Sequence, residues 1–283
     1  MRWESGRRST NVQDCRGMGG AGMVGGGGIG VLVLVLIVSF VSGRNPLELM
    51  QQVEQVAPGG EAGTAGAPPD DDVQAQRVRA VLGDLEDTWQ RVFRDNGGTY
   101  QEPQLILFEA QVRSACGMAS SAVGPFYCPS DRSVYLDMSF FRDLDQQYGA
   151  PGDFAEAYVI AHEVGHHVQT LLGVSSRVQA ARSSASEADA NELSVRQELQ
   201  ADCYAGVWAN HAARRNWLED GDVDEGLQAA AAIGDDRLQR RSQGHVVPES
   251  FTHGSSEQRQ RWLRRGLQSG DVKQCDTFSS TTF

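Results

Sequence analysis

The chain has 283 residues, 40% of them hydrophobic, and a formal net charge of -12. That length supports one good-sized core, and the acidic balance excludes nucleic acid as the main partner, because phosphate binding needs a basic surface. The arginine clusters, such as Arg214-Arg215 and Arg264-Arg265, are interrupted by acidic residues and read as solvated helix faces.

Residues 1–18 are polar and carry Arg2, Arg7, Arg8 and Arg16. A glycine-rich run follows, and from Met23 to Val41 no charge appears. At about 1.5 Å per residue this stretch just crosses a hydrocarbon layer of about 30 Å. The excess of arginine on its N-terminal side predicts a cytoplasmic segment over 1–22, one membrane anchor over 23–43 and export of everything beyond, to the periplasmic or extracellular side. A cleaved signal peptide is the rival reading, with an unusually long polar start. The Pro-, Gly- and Asp-rich stretch 44–73 reads as a flexible linker, with a short helix near Leu47 to Val56, and the folded domain is expected over 74–283.

Within that domain, Val78, Val81, Leu82, Leu85, Trp89, Val92 and Phe93 recur at helical spacing until Asn96-Gly97-Gly98. Gln104 to Phe108 reads as a strand, and Gly124 to Cys128, a turn over 129–132 and Ser133 to Leu136 read as a strand pair, which together predict a small antiparallel sheet. Asp153 and Glu156 form an aspartate-led capping box for a helix that runs to Gly173. Further helices are expected near 187–213, 222–232 and 255–268, giving an α+β chain with more helix than strand. Four cysteines follow the apolar stretch with no CxxC spacing. Two disulfides are expected: Cys116 with Cys128, which bracket a short sheet segment, and Cys203 with Cys275, tying a helix to the C-terminal tail; buried free thiols are the alternative.

The motif His162-Glu163-Val164-Gly165-His166 falls in mid-helix. At 3.6 residues per turn its two histidines lie one above the other, so both imidazoles reach one ion while Glu163 stands beside them as a general base. A catalytic zinc also needs a third ligand, and Glu198 on the next long helix supplies a His₂Glu set, with Asp202 one turn on to accept a hydrogen bond from a ligand imidazole. His167 points about 100° away from His166 on the helix and reads as a packing residue.

With these residues in view the chain resembles a known family, the neutral zinc metallopeptidases of bacterial membranes. The resemblance is carried by Met1-Arg-Trp3, Gly124-Pro-Phe-Tyr-Cys-Pro129, Val134-Tyr-Leu-Asp137, Tyr158 to Gln169, Glu198 to Gly206, Gly234-Asp-Asp236 and Thr252-His-Gly-Ser-Ser256. It implies a zincin-like fold, a Zn²⁺ cofactor, a protein or peptide substrate and a membrane location through the single N-terminal helix. His253, just ahead of the last helix, is a candidate catalytic donor to the tetrahedral oxyanion, with Asp235 or Asp236 to orient it; the plain alternative is a helix-entry histidine. Ser255 or Ser256 reads as a cap, not a nucleophile. Two other functions stay open: a non-catalytic envelope scaffold or chaperone-like module with a structural metal, and a zinc hydrolase of a non-peptide cell-wall amide.

Overall fold

The computed structural model describes residues 1–17, 66–120 and 123–280. Among the described residues there are six strands and eight α-helices. Helix α1 (Val73–Asp95) starts at Asp72, whose carboxylate accepts from the Ala75 amide at 3.0 Å. Its expected apolar face is buried from Val78 to Phe93, with Val92 half-buried.

The sheet differs from the antiparallel one expected. Strands β1 (Val12–Asp14), β2 (Gln104–Phe108), β5 (Phe126–Cys128) and β6 (Ser133–Asp137) lie in the order β1-β2-β6-β5. β1 and β6 run parallel to β2, and only β5 is antiparallel to its neighbour. Leu105, Leu107, Val134 and Leu136 are buried on one face and Phe108, Ser133 and Tyr135 on the other, and strands covered on both faces suit parallel pairing. Between β2 and β5 the chain makes a separate hairpin, β3 (Gln111–Ser114) and β4 (Gly117–Ser120), and the antiparallel turn from β5 into β6 then sets β6 in the direction of β2.

The start of the chain also departs from the separate segment expected. Over 1–17 the supposed separate segment belongs to the folded body: Met1, Trp3 and Val12 enter the core, and Val12 pairs with Leu105. The Met1 ammonium lies 2.9 Å from Asp153, 3.3 Å from Glu219 and 3.4 Å from Asp222. The fully buried carboxylate of Glu86 on α1 accepts from Arg7, Ser9 and Asn11 at 2.7, 2.7 and 2.8 Å. Past residue 65 the chain rejoins the same edge, where the Asp14 amide donates to the Gly66 carbonyl at 2.7 Å. A single membrane crossing over 23–43 would put β1 and β2 on opposite sides, at odds with their pairing. The segment 23–43, and the short helix expected near 47–56, lie outside the described residues. Among the described residues no helix is long and apolar enough to cross a membrane.

The helices that place the site follow α2 (Ser139–Gln146): α3 (Asp153–Leu171), α4 (Val174–Arg182), α5 (Glu187–Arg214), α6 (Asp222–Ala232), α7 (Asp235–Gln243) and α8 (Ser256–Ser269). The expected Asp153–Glu156 capping box is absent, because Asp153 is already helical and holds Met1 while Glu156 pairs with Arg77 at 2.8 Å. On α8 the capping box does form, between Ser255 and Gln258. Gly165 lets α3 approach α5 closely, since a Cβ there would sit 2.9 Å from the Ala201 carbonyl oxygen. Gly206 does the same for α5 and α8, where a Cβ would overlap the Leu263 carbonyl. The disulfides Cys116–Cys128 and Cys203–Cys275 are both formed, and Cys15 is free.

Candidate metal centre

Three donors converge where α3 meets α5. His162 Nε2 lies 3.1 Å from Glu198 Oε2, and His166 Nε2 lies 3.4 Å from Glu198 Oε1. One ligand atom from each residue falls within 4.8 Å of the others. Asp153, Asp222 and Glu225 also converge, but two of these already surround the Met1 ammonium.

Both imidazoles are oriented from behind. His162 Nδ1 lies 2.8 Å from Asp202 Oδ1, as expected, and His166 Nδ1 lies 2.9 Å from Gln169 Oε1. Each acceptor calls for a proton on Nδ1, so Nε2 is the nitrogen that faces Glu198: without a metal it donates there as an imidazolium, and a metal ion would take that proton's place. Two such nitrogens and a carboxylate fit Zn²⁺.

The electrostatics favour a cation here. Burial works against a charged His162, yet Asp202 and Glu198 outweigh it and raise its pKa to about 9. Burial equally opposes the Glu198 carboxylate, and the two histidines hold it well below the ordinary carboxylate range. Glu163 moves the other way, raised chiefly by burial despite the adjacent imidazoles. A general base serves best when its pKa lies closer to working pH.

Asp202 has partners the sequence did not reveal. Arg259 from α8 donates to both of its oxygens, at 2.9 and 3.0 Å, and the Tyr158 hydroxyl donates at 2.5 Å. Arg259 and Asp202 are buried, and although burial penalises the carboxylate, Arg259 and His162 lower its pKa to about 2. Arg259→Leu leaves that charge half-satisfied and is expected to cost about 3–5 kcal/mol, read from the urea midpoint. Because this pKa is depressed, the stabilisation is complete above the ordinary value of 3.8 and is lost as pH falls toward about 2.

The centre opens into a cleft of about 1010 Å³, with Glu163 and His253 on its walls and Phe140, Tyr148, Val159 and Leu238 giving it an apolar side. His253 Nδ1 lies 3.1 Å from Asp235 Oδ1, so Asp235 and not Asp236 faces it. The other Asp235 oxygen accepts from the amides of Thr252, His253 and Gly254 at 2.7, 2.7 and 3.1 Å. Asp236 binds the Ser256 amide and hydroxyl. His167 is a packing residue: its Nε2 donates to the Gln101 carbonyl at 2.6 Å, which leaves Nδ1 to accept from the Tyr127 hydroxyl at 3.0 Å. That contact latches β5, whose residues line the cleft, onto α3.

Fold and centre together define a mainly helical α+β protein in which two histidines and one carboxylate form a candidate metal site opening on a large cleft. The chain belongs to the family described as "putative neutral zinc metallopeptidase", whose model matches residues 1–278. It is 46% identical to "Uncharacterized protein YpfJ" of Escherichia coli (strain K12), over 99% of this chain and all of that one. It is also 46% identical to "Uncharacterized protein Mb2605" of Mycobacterium bovis, over 72% of this chain and 70% of that one. No solved structure matches.

Proposed function

We propose that this chain is a zinc-dependent peptidase with a zincin-like catalytic domain, in which His162, His166 and Glu198 hold the ion and Glu163 is the general base. The observation that carries this is the pair of Nδ1 hydrogen bonds, to Asp202 and Gln169, which leave both Nε2 atoms directed at the Glu198 carboxylate. A bound zinc supplies Lewis acidity, lowering the pKa of a water and polarising the substrate carbonyl. Glu163 takes the proton of the attacking water and returns it to the leaving amine. His253, backed by Asp235, donates from Nε2 to the oxygen that becomes negative. A structural zinc takes four protein ligands, whereas the cluster found among the described residues supplies three and opens on the cleft, which favours catalysis over a scaffold. Cleavage of a mixed peptide library that chelation abolishes and zinc restores supports this reading; cleavage that survives chelation opposes it.

For His253, its bond to Asp235 outweighs burial and raises the imidazole pKa. The imidazolium is therefore the donor up to a pH above its ordinary value of 6.5, and its contribution falls as pH rises through the raised value. His253→Ala is expected to lower kcat by about 10²–10³ with little change in zinc content. Asp235→Asn should move the alkaline limb of the kcat profile to lower pH, and an unmoved limb would remove His253 from the mechanism.

We also propose that the apolar segment 23–43 keeps the protein at a membrane, with residues 1–17 and 66–280 on the same side of it. Both disulfides suit an oxidising compartment on that side. Thr10 and Glu257 are exposed, so Thr10→Cys and Glu257→Cys should react alike with an impermeant maleimide on intact spheroplasts. Labelling of one position and not the other would restore the two-sided topology.

A further inference from the structure

We infer that Gln169 and Gln200 are positioning residues for His166, and that they tie the metal centre to the C-terminal segment anchored by the Cys203–Cys275 disulfide. The inference rests on the zinc reading above for the role of His166.

The two ligand imidazoles are supported unequally. Behind His162 stands a carboxylate with its own arginine; behind His166 stands a neutral amide, fully buried, three residues further along α3. The orientation of that amide follows from its other partners. Gln169 Nε2 donates to the Gln197 carbonyl at 2.7 Å and to Gln200 Oε1 at 3.1 Å, both acceptors, so the nitrogen faces α5 and Oε1 faces His166. Gln200 is fixed in the same way, because its Nε2 donates to the Cys275 carbonyl at 2.9 Å. Every link has one direction: the Cys275 carbonyl orients Gln200, Gln200 orients Gln169, and Gln169 leaves His166 only the tautomer with a proton on Nδ1.

The far end of the relay is itself held on α5. Cys275 is bonded to Cys203, five residues beyond Glu198 on the same helix, and the Thr277 hydroxyl donates to the Arg196 carbonyl at 2.7 Å. The segment thus carries an acceptor to a buried place that α3 and α5 alone do not fill. Amides with every partner supplied are an unneeded expense in a core that only has to pack, since apolar groups of the same shape serve there as well. What they add here is direction at a ligand, and outer partners of ligand histidines are typically worth about 10–100-fold in metal affinity.

The test is zinc affinity of the full chain, by competition with a chromophoric chelator, for wild type, Gln169→Leu, Gln169→Glu, Gln200→Leu and the Cys203→Ser/Cys275→Ser pair. Gln169→Leu should weaken zinc about 10–100-fold, and Gln169→Glu, which keeps an acceptor facing Nδ1 but turns its second oxygen on the Gln197 carbonyl and Gln200 Oε1, should recover only part of it. Gln200→Leu and the disulfide pair should each weaken zinc, and Gln200→Leu should add little in the Gln169→Leu background, because the two act through one path. A folded Gln169→Leu protein that binds zinc as tightly as wild type overturns the inference and leaves the centre standing; a wild type that takes up no zinc overturns both. If Gln169→Leu does not fold, the wild type decides: the zinc-loaded protein must show a slowly exchanging proton on His166 Nδ1 by NMR, and an unprotonated Nδ1 overturns the inference.

Discussion

Glu163→Gln is expected to keep its zinc and to lose about 10²–10⁴ in peptide hydrolysis. The substitution preserves the shape of a buried side chain on the cleft wall and leaves the three converging donors untouched. It removes the carboxylate proposed to accept a proton beside the centre. Glutamine cannot take up that proton, so the loss should fall on kcat, with KM nearly unchanged. The comparison needs a confirmed peptide substrate and equal zinc in both proteins. Unchanged turnover would remove Glu163 as the base while leaving the metal ligands in place.

How much of this was legible in the sequence follows from the range of each interaction. His162, Glu163 and His166 share one helix, and Glu198 and Asp202 share another, so spacing alone placed each pair on one face. A cap at Ser255 or Ser256 and the long helices were legible as well, and the structure makes Ser255 the cap. Arg259 was not found, because its partners Tyr158 and Asp202 are 101 and 57 residues away. A local signal did exist: Arg259 lies on the stripe of Trp262, Leu263 and Gly266, the buried face of α8, where a charge requires a buried partner. Gln169 carries a similar signal, a polar residue on the buried side of the motif helix.

The start of the chain was misread for a physical reason. Its polar residues suggest a tail, yet Ser9 and Asn11 satisfy the buried carboxylate of Glu86 on α1. Strand β1 has three residues, too few for alternation to show, and its pairing with β2 spans more than ninety residues of sequence. Helix α7 escaped because Leu238 is its only large apolar residue, which leaves no periodic pattern. The parallel sheet was missed because direction depends on the connection between β2 and β6, and short apolar runs do not encode it.

The second large effect concerns the ligands themselves. His162→Ala, His166→Ala and Glu198→Ala are each expected to cut zinc content sharply, because each leaves two protein donors for an ion that takes three in catalytic sites. His166→Ala is the cleanest of the three, since its imidazole is backed by a neutral amide and its removal strands no buried charge pair of the Asp202–Arg259 kind. The deciding measurement is the metal content of purified wild type and His166→Ala, determined in parallel after dialysis against a weak chelator. The account predicts one zinc per chain in the wild type and well under half of that in a folded variant; full stoichiometric zinc in His166→Ala would contradict it.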